Sequence, residues 1–195
     1  LSITSIYGSM IMNVKHLNMS ELEAGINYIL QTLDDKGPVC MIVSRSEIEI
    51  RKILNSASLD TIEGLIGDNW KHRGSSDTPN KSANPETQIT IMNCRVIDLI
   101  AQSRERWKLA GDQLFIDMDI SRNNLPPGSQ IKMGSTVLEV SKKPHTGCKK
   151  FSDRFGLDAL KFVSTPRGRE LCLRGINARV LKTGVVKIGD IVNKL

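Results

Sequence analysis

Short runs of alternating hydrophobic and polar residues recur along this chain, and turn residues separate them. Such runs predict β-strands that bury one face. Strands are predicted at residues 39–44, 47–51, 88–93, 113–119, 130–133, 136–140, 185–188 and 191–192, with a further one within 171–181. Many short strands joined by Gly-Asp turns predict a mainly β protein, with a β-barrel-like core and several peripheral α-helices.

Helical spacing of apolar residues is confined to a few segments, namely residues 20–33, 60–66, 95–104, 148–155 and 157–162. Ser20 and Glu23 form a capping-box pattern at the start of the first segment. Residues 67–86 are polar and rich in Gly, Ser, Asn and Pro. This composition predicts a flexible surface loop or, alternatively, a lid over a ligand site.

A length of 195 residues suits one domain. We assign residues 20–195 to that domain and residues 1–19 to a poorly defined N-terminal segment. No apolar stretch approaches the roughly 20 residues that cross a bilayer, and the first residues lack the basic region of a signal peptide. A cytoplasmic protein with reduced cysteines and no membrane contact is therefore expected.

The net charge of +6 indicates an anionic partner. Because no nucleic-acid-binding motif accompanies this charge, a small anionic ligand is favoured and nucleic acid is not expected. The four cysteines contain no C-x-x-C pair, so their spacing gives no support to a four-cysteine zinc site.

Residues 142–151, Lys-Lys-Pro-His-Thr-Gly-Cys-Lys-Lys-Phe, combine more reactive and charged groups than any other stretch. A predicted strand precedes them, and a predicted helix begins at or near Cys148. A helix start, the surrounding lysines and His145 all favour the thiolate, which is the form that attacks electrophiles and binds metals. The alternative is that Cys148 is a buried structural thiol.

Two arginines later in the chain could bind an anion beside this cysteine. Arg174 and Arg179 bracket a segment in which Gly175 and Asn177 suit tight turns. Since guanidinium groups hold phosphate through paired hydrogen bonds, the two arginines could clamp an anionic cofactor, or they could pair with surface carboxylates. A thiolate is a soft ligand and suits a transition metal better than Mg²⁺ or Ca²⁺.

Several motifs follow one another in the order found in the MOSC domain, the C-terminal domain of molybdenum cofactor sulfurases. They are Gly-Asp-Gln-Leu at 111–114, Asn-Leu-Pro-Pro-Gly at 124–128, Leu-Glu-Val at 138–140, Pro-His-Thr-Gly-Cys-Lys-Lys-Phe at 144–151, Leu-Arg-Gly-Ile-Asn-Ala-Arg-Val at 173–180 and Gly-Asp at 189–190. Over residues 65–192 the chain therefore resembles a MOSC domain. It departs from many relatives at 71–86, where they carry a His-His-Gly-Gly-like run and an Asp-Lys pair.

The resemblance implies a β-barrel-like fold and a molybdenum cofactor of the molybdopterin type. It implies that Cys148 is the catalytic residue and the molybdenum ligand. The residues that it implies for binding the anionic pterin are Cys148, His145, Thr146, Lys149, Lys150, Arg174, Asn177 and Arg179. The chain is similar to small standalone members that lack an aminotransferase-like domain, so pyridoxal phosphate is not expected.

Three functions remain as hypotheses. The first is a molybdenum-dependent oxidoreductase that reduces N-hydroxylated or N-oxygenated substrates with an electron-transfer protein as partner. The second is a carrier of persulfide sulfur or of molybdenum cofactor, without turnover of its own, that meets a sulfur-donor protein. The third is a phosphate-binding or nucleic-acid-binding module, which only the positive charge supports.

Overall fold

The computed structural model of this chain describes residues 15–195. Its strands are β1 (Lys36–Ser44), β2 (Lys52–Leu54), β3 (Ser56–Asp60), β4 (Gly64–Leu65), β5 (Ile89–Asn93), β6 (Leu114–Ile116), β7 (Gln130–Met133), β8 (Thr136–Val140), β9 (Ile176–Lys182), β10 (Gly184–Lys187) and β11 (Ile191–Lys194). Its α-helices are α1 (Met19–Ala24), α2 (Ile26–Ile29), α3 (Trp70–Arg73), α4 (Cys94–Ala101), α5 (Lys149–Phe155), α6 (Leu157–Ser164) and α7 (Pro166–Glu170). Two 3₁₀ helices, Pro85–Thr87 and Arg104–Ala110, complete the regular structure of the described residues.

Seven strands close into a β-barrel. They neighbour one another in the order β11-β7-β8-β9-β5-β6-β1, and β11 returns to pair with β1. The pairs are antiparallel except for β5 with β6, which is parallel. β1 can contact three strands because its first residues pair with β11 and its last residues pair with β2. The predicted mainly β, barrel-like fold with peripheral helices is confirmed.

Side chains fill the inside of the barrel. Alternate residues of each wall point inward, as with Leu138 and Val140 of β8 and Ala178 and Val180 of β9, all of which are buried in one core. The small sheet β10-β3-β4 adds buried residues to that same core. Since the interior is packed, a ligand site has to lie outside it.

The helices form a second core on the outer face of the barrel wall. Phe115 of β6 faces outward between inward-facing neighbours, because successive side chains of a strand point to opposite sides. It packs in a cluster with Leu22 of α1, Ile97 of α4, Phe151 of α5 and Phe162 of α6. This layer holds α5, and with it Cys148, against the barrel.

Several local predictions were wrong. Residues 60–66 are not a helix, because they hold the end of β3, a tight turn at 61–63 and β4. In the turn the Asp60 carboxylate accepts the N–H groups of Ile62 and Glu63 at 2.8 and 3.0 Å. The predicted strand at 47–51 is irregular, and the strand begins at Lys52. The predicted helix at 20–33 is broken at Gly25 into α1 and α2.

The first helix also begins earlier than expected. The capping box consists of Asn18 and Glu21, not of Ser20 and Glu23. Helix α7 was not predicted, although Thr165 caps it and Pro166 stands at its first position. The expectation for the N-terminal segment falls, for residues 1–14, outside the described residues.

Candidate functional site

Cys148 lies on the surface at the start of α5. It is the residue that immediately precedes the helix, and it is exposed. Its carbonyl oxygen accepts the N–H of Phe151 at 2.9 Å, so the helix fixes the backbone of the cysteine. Phe151 and Phe155 anchor the helix because both are buried in the helical core. The predicted position at a helix start is confirmed, and the alternative of a buried thiol is wrong.

A cavity of about 280 Å³ opens beside the segment that leads to Cys148. Its walls come from the end of β8 and the segment after it, from the loop before β7, and from α6, α7 and the chain that runs from α7 into β9. Five cationic side chains line it: Arg122, Lys142, Lys143, Arg169 and Arg174. Among the described residues, no Asp or Glu does. The lining therefore favours an anionic ligand.

The cysteine in the cavity wall is Cys172, whereas Cys148 lies outside the lining, two residues beyond Thr146, which is part of it. Cys172 is half-buried and adopts a left-handed backbone conformation with φ +50°. Burial raises the pKa of its thiol, so it stays protonated at neutral pH. The sequence interpretation did not single out Cys172 as a site residue.

Asp112 lies behind the cavity wall and binds two of the residues that line it, His145 and Arg174. Its carboxylate has no exposed surface and accepts hydrogen bonds from Arg174 Nη1 and from His145 Nε2, both at 2.7 Å. Arg174 also donates from Nη2 to the carbonyl of Ala110 at 3.0 Å. Its guanidinium stacks 4.9 Å from the ring centroid of Phe151. Asp112 thus links His145 of the motif segment to Arg174 of the later basic segment.

The charges of this group set its protonation. Burial by itself would raise the pKa of Asp112, but the charges and hydrogen bonds of Arg174 and His145 together outweigh it, and the pKa lies below its ordinary value. Burial lowers the pKa of His145, and the charge of Arg174 adds to this shift against the attraction of Asp112. The imidazole is therefore neutral at pH 7, with its proton on Nε2 facing Asp112. Its Nδ1 makes no hydrogen bond within residues 15–195.

Three arginines converge on the turn before Asp112. Arg154 donates to the carbonyl of Leu109 at 2.8 Å, Arg174 to that of Ala110, and Arg45 to that of Gly111 at 3.0 Å. The turn is held in place because three consecutive carbonyl oxygens each receive a charged donor.

Two further arginines lie close to this group. Burial lowers the pKa of Arg51, and the charges of Arg154 and Arg45 lower it further. Burial likewise lowers the pKa of Arg73, with Arg45 adding to the shift. The buried carboxylate of Asp68 pairs with Arg45 at 2.8 Å, but the region still holds more guanidinium groups than carboxylates. This excess extends the positive potential beyond the cavity.

Three residues that the resemblance implies for pterin binding, namely His145, Thr146 and Asn177, contribute to the cavity wall. Asn177 is buried in β9, and its side-chain amide donates to the carbonyl of Lys143 at 3.1 Å. It thereby holds the segment between β8 and Cys148 against β9. Ser141 begins that segment and lines the cavity, and its Oγ is buried without a hydrogen-bond partner among the described residues.

Four of the implied pterin-binding residues do not line the cavity, namely Cys148, Lys149, Lys150 and Arg179. Lys149 pairs with Asp153 along α5, and Lys150 pairs with Glu49. Arg179 pairs with Glu139 at 2.7 Å, directly across from it on β8. Arg174 and Arg179 therefore do not converge on one anion in this structure.

The polar segment at 67–86 contacts the residues that lead to Cys148. Asp77 forms an ion pair with Lys143, and the carboxylate of Glu86 accepts the backbone N–H of Lys142 at 3.1 Å. The segment contains α3 and ends at the 3₁₀ helix Pro85–Thr87. It is thus tied to the site at two points, which favours the lid hypothesis over a loop unrelated to the site.

Within residues 15–195, no group of three or more His, Cys, Asp or Glu side chains is placed to hold a metal ion. A metal at this site would therefore depend on one thiolate and on ligands that a cofactor brings. In the same part of the chain, none of the helices has the length and apolar character needed to cross a membrane.

The sequence interpretation missed the carboxylates of the site. Asp112 was noted within the Gly-Asp-Gln-Leu motif but was given no role. The available signal was an acidic residue two positions before the apolar strand Leu114–Ile116, where a charge is buried only with a partner. Arg45 and Asp68 were also missed, since nothing in either local sequence indicates that the two side chains meet.

The MOSC domain model matches residues 79–193 of the chain. The comparison of this chain with curated proteins found no match. Among solved structures, the YuaD protein from Bacillus subtilis is 15% identical, with a TM-score of 0.58 over 80% of this chain and 94% of YuaD.

Two YiiM proteins have similar structures. YiiM from Escherichia coli is 17% identical, with a TM-score of 0.53 over 82% of this chain and 69% of YiiM. YiiM from Geobacillus stearothermophilus is 12% identical, with a TM-score of 0.57 over 82% of this chain and 75% of that protein. At these identities the likeness shows a shared fold only.

Proposed function

Because the chain belongs to the MOSC domain family, we propose that it binds a molybdenum cofactor of the molybdopterin type, with Cys148 as the sulfur ligand. The observation that carries the proposal is the basic cavity beside the segment 142–148. Five cations and no carboxylate of the described residues line it, and the segment leads directly to an exposed thiol. A phosphate-bearing pterin with a soft metal matches both features.

The residues present fit the anionic part of such a cofactor. Arg174 is fixed by Asp112 and Ala110, so its charge is held in place before a ligand arrives. Lys142 is exposed at the cavity and free to move toward a phosphate. The unpartnered Oγ of Ser141 can donate a hydrogen bond to a ligand oxygen or nitrogen. Thr146 and Asn177 would complete the polar contacts.

Cys148 fits the metal end of the cofactor because its thiol is exposed and its backbone is fixed by α5. When bound, the cofactor supplies two-electron redox chemistry at molybdenum. In this proposal Lys149, Lys150 and Arg179 act as surrounding positive charge, since none of them lines the cavity.

The proposed reaction is the reduction of an N-hydroxylated or N-oxygenated substrate, with electrons from an electron-transfer protein. Reduction of an N-hydroxyl compound to the amine consumes two electrons and two protons and releases the oxygen as water. His145 lines the cavity, and Asp112 holds its Nε2 proton. Its Nδ1 can accept a proton and pass it on to a bound group, as a general acid does.

Metal content tests the cofactor proposal without any assay of turnover. Protein freshly purified from a host that makes the cofactor should contain stoichiometric molybdenum by elemental analysis, and Cys148→Ala should lose most of it. Cys172→Ala is the decisive comparison, because Cys172 is the cysteine in the cavity wall. Equal molybdenum in Cys148→Ala and the parent would refute ligation by Cys148, and loss in Cys172→Ala alone would move the ligand to Cys172.

A pair of lysines tests the role of the cavity. Lys142 and Lys149 are both exposed and lie in the same segment, but only Lys142 lines the cavity. We expect Lys142→Met to lower the content of bound pterin, and we expect Lys149→Met to lower it less. Equal losses would show that general positive charge, and not the cavity, attracts the cofactor.

A second candidate function is a sulfur carrier, in which Cys148 holds a persulfide for a partner protein. The exposure of Cys148 outside the cavity lining favours it, since a protein partner can reach that thiol. A donor persulfide would transfer its outer sulfur to the Cys148 thiolate and leave as a thiolate. After incubation with a cysteine desulfurase and cysteine, mass spectrometry should find one added sulfur on Cys148, and an unmodified Cys148 would exclude this function.

A further inference from the structure

Two cysteines outside the cavity lie in contact with each other. The sulfur atoms of Cys40 and Cys94 are 3.0 Å apart, although 54 positions separate the two residues in sequence. Cys40 belongs to β1 and Cys94 begins α4 directly after β5. Neither residue lines the basic cavity, so the pair is separate from the proposed cofactor site.

The fold directs both thiols to this contact. The register of β1 against β6 shifts between Val39 and Met41, which marks Cys40 as the residue of a β-bulge. A bulge re-aims the side chain of the extra residue. On the other side, Asn93 caps α4 by accepting the N–H of Arg95 at 2.8 Å, and this cap fixes the first helical residue, Cys94. Both positions are thus set by the backbone.

The two thiols differ in access. Cys94 is 6% exposed, whereas Cys40 is only half-buried. Cys40 is therefore the more accessible of the two residues to a small reagent. The backbone carbonyl of Cys40 also accepts a hydrogen bond from Arg104 at 2.6 Å, which brings a positive charge near the accessible thiol.

We propose that Cys40 and Cys94 are a redox-active dithiol, which a low-molecular-mass disulfide converts reversibly into an intramolecular disulfide. The Cys40 thiolate attacks one sulfur of the small disulfide, forms a mixed disulfide and releases one thiolate. Cys94 then loses its proton and attacks Cys40 Sγ, which forms the Cys40–Cys94 bond and releases the second thiolate. The protein loses two electrons and two protons, and the small disulfide becomes two thiols.

The order of attack follows from the acid–base difference between the two groups. The hydrogen bond between the two sulfur atoms lowers the pKa of Cys40. The charge of Arg104 lowers it further, whereas burial and the charge of Asp117 raise it. The same hydrogen bond raises the pKa of Cys94, and burial raises it further. Once Cys40 is in a mixed disulfide, its thiolate no longer opposes ionisation of Cys94, so the second step becomes easier.

Peptide mapping of the whole protein tests the inference. Trypsin cleaves after Lys and Arg, so Cys40 falls in the peptide 37–45 and Cys94 in the peptide 82–95. After treatment with oxidised glutathione and alkylation of the remaining thiols, we expect these two peptides to be joined and lighter by two hydrogen atoms than their sum. Dithiothreitol should separate them again.

Two matched variants test the order of the steps. Cys94→Ala should trap a stable glutathione adduct on Cys40, because the second thiol is missing. Cys40→Ala should leave Cys94 unmodified, because Cys94 is buried. Circular dichroism checks that both variants fold, and the mapping of the parent protein stands without them. If the parent yields no joined peptides and both cysteines remain open to alkylation after oxidation, the inference is overturned.

Discussion

Replacing Asp112 by Asn removes the negative charge that accompanies Arg174 and keeps the size of the side chain. The carboxylate is fully buried and accepts hydrogen bonds from Arg174 and His145, both at 2.7 Å. After the substitution Arg174 stays buried, with the carbonyl of Ala110 at 3.0 Å and the ring of Phe151 as its remaining partners. Neither partner carries a negative charge.

The expected loss of stability is large. Removing one partner of a buried ion pair costs about 3–5 kcal/mol, because the other charge remains uncompensated in a poorly polarisable environment. The Asn amide oxygen can still accept one hydrogen bond, which retains about 1 kcal/mol. The stacking on Phe151 is present before and after the change and does not alter the difference. Asp68 already forms an ion pair with Arg45, so it does not replace the missing negative charge beside Arg174. We expect a loss of about 3 kcal/mol.

Urea unfolding followed by circular dichroism measures this loss. Glu139→Gln is the matched control, because it also removes the carboxylate of an arginine pair at 2.7 Å, but Arg179 there is 45% exposed. Exposed pairs contribute about 0–1 kcal/mol, so the control should change little. If Asp112→Asn lost less than about 1 kcal/mol, as the control is expected to do, Arg174 would not depend on the charge of Asp112.

Two further predictions concern His145 and a glycine of the site. The pKa of His145 in the folded protein lies below its ordinary value of 6.5. Between the folded and unfolded pKa values the unfolded chain binds more protons than the folded protein. The neutral His145 therefore stabilises the fold above pH 6.5, and this stabilisation is lost as the pH falls below 6.5. His145→Gln should flatten the fall of the urea midpoint as the pH drops below 6.5, and an unchanged slope would show that His145 does not have a lowered pKa in the folded protein. Gly175→Ala should lose about 3 kcal/mol or more, because φ is +108° and a Cβ would lie 2.4 Å from the carbonyl oxygen of Ile91. Gly189 has a φ of +87°, and a Cβ added there would have no atom within 4 Å. Gly189→Ala should therefore lose only about 1–2 kcal/mol of stability in the same unfolding experiment. Equal losses in the two variants would show that the contact with Ile91 is unimportant.

Strand periodicity was enough to predict the fold class, because each wall of the barrel buries one face and exposes the other. The strands at 130–133 and 136–140 were placed with the bounds that the structure has. The error at 60–66 occurred where one side chain can stabilise either of two local structures. Asp60 can cap a helix or a tight turn, and the pairing of the preceding strand residues with β10, far away in sequence, favours the turn.

The surroundings of Cys148 could be predicted only in part. Its place before α5 follows from local signals, namely Gly147 before it and two phenylalanines four positions apart after it. The cavity could not be predicted, because its walls come from segments around residues 122, 145 and 174 that meet only through the barrel. The contact between Cys40 and Cys94 was missed for the same reason, since a β-bulge and a helix start bring them together.

Arg174 is buried and Arg179 is exposed, although both belong to the same local motif. The motif therefore does not determine which of its arginines is buried. Gly175 turns the chain with φ +108°, and β9 then alternates, so that Arg179 faces solvent opposite Glu139. A charge in solvent needs no built partner, whereas Arg174 is buried and requires one. That partner, Asp112, lies 62 residues away in sequence. The arginine that serves the cavity is therefore identified by a distant buried carboxylate, and a search for binding charges in this fold should begin with the buried acids.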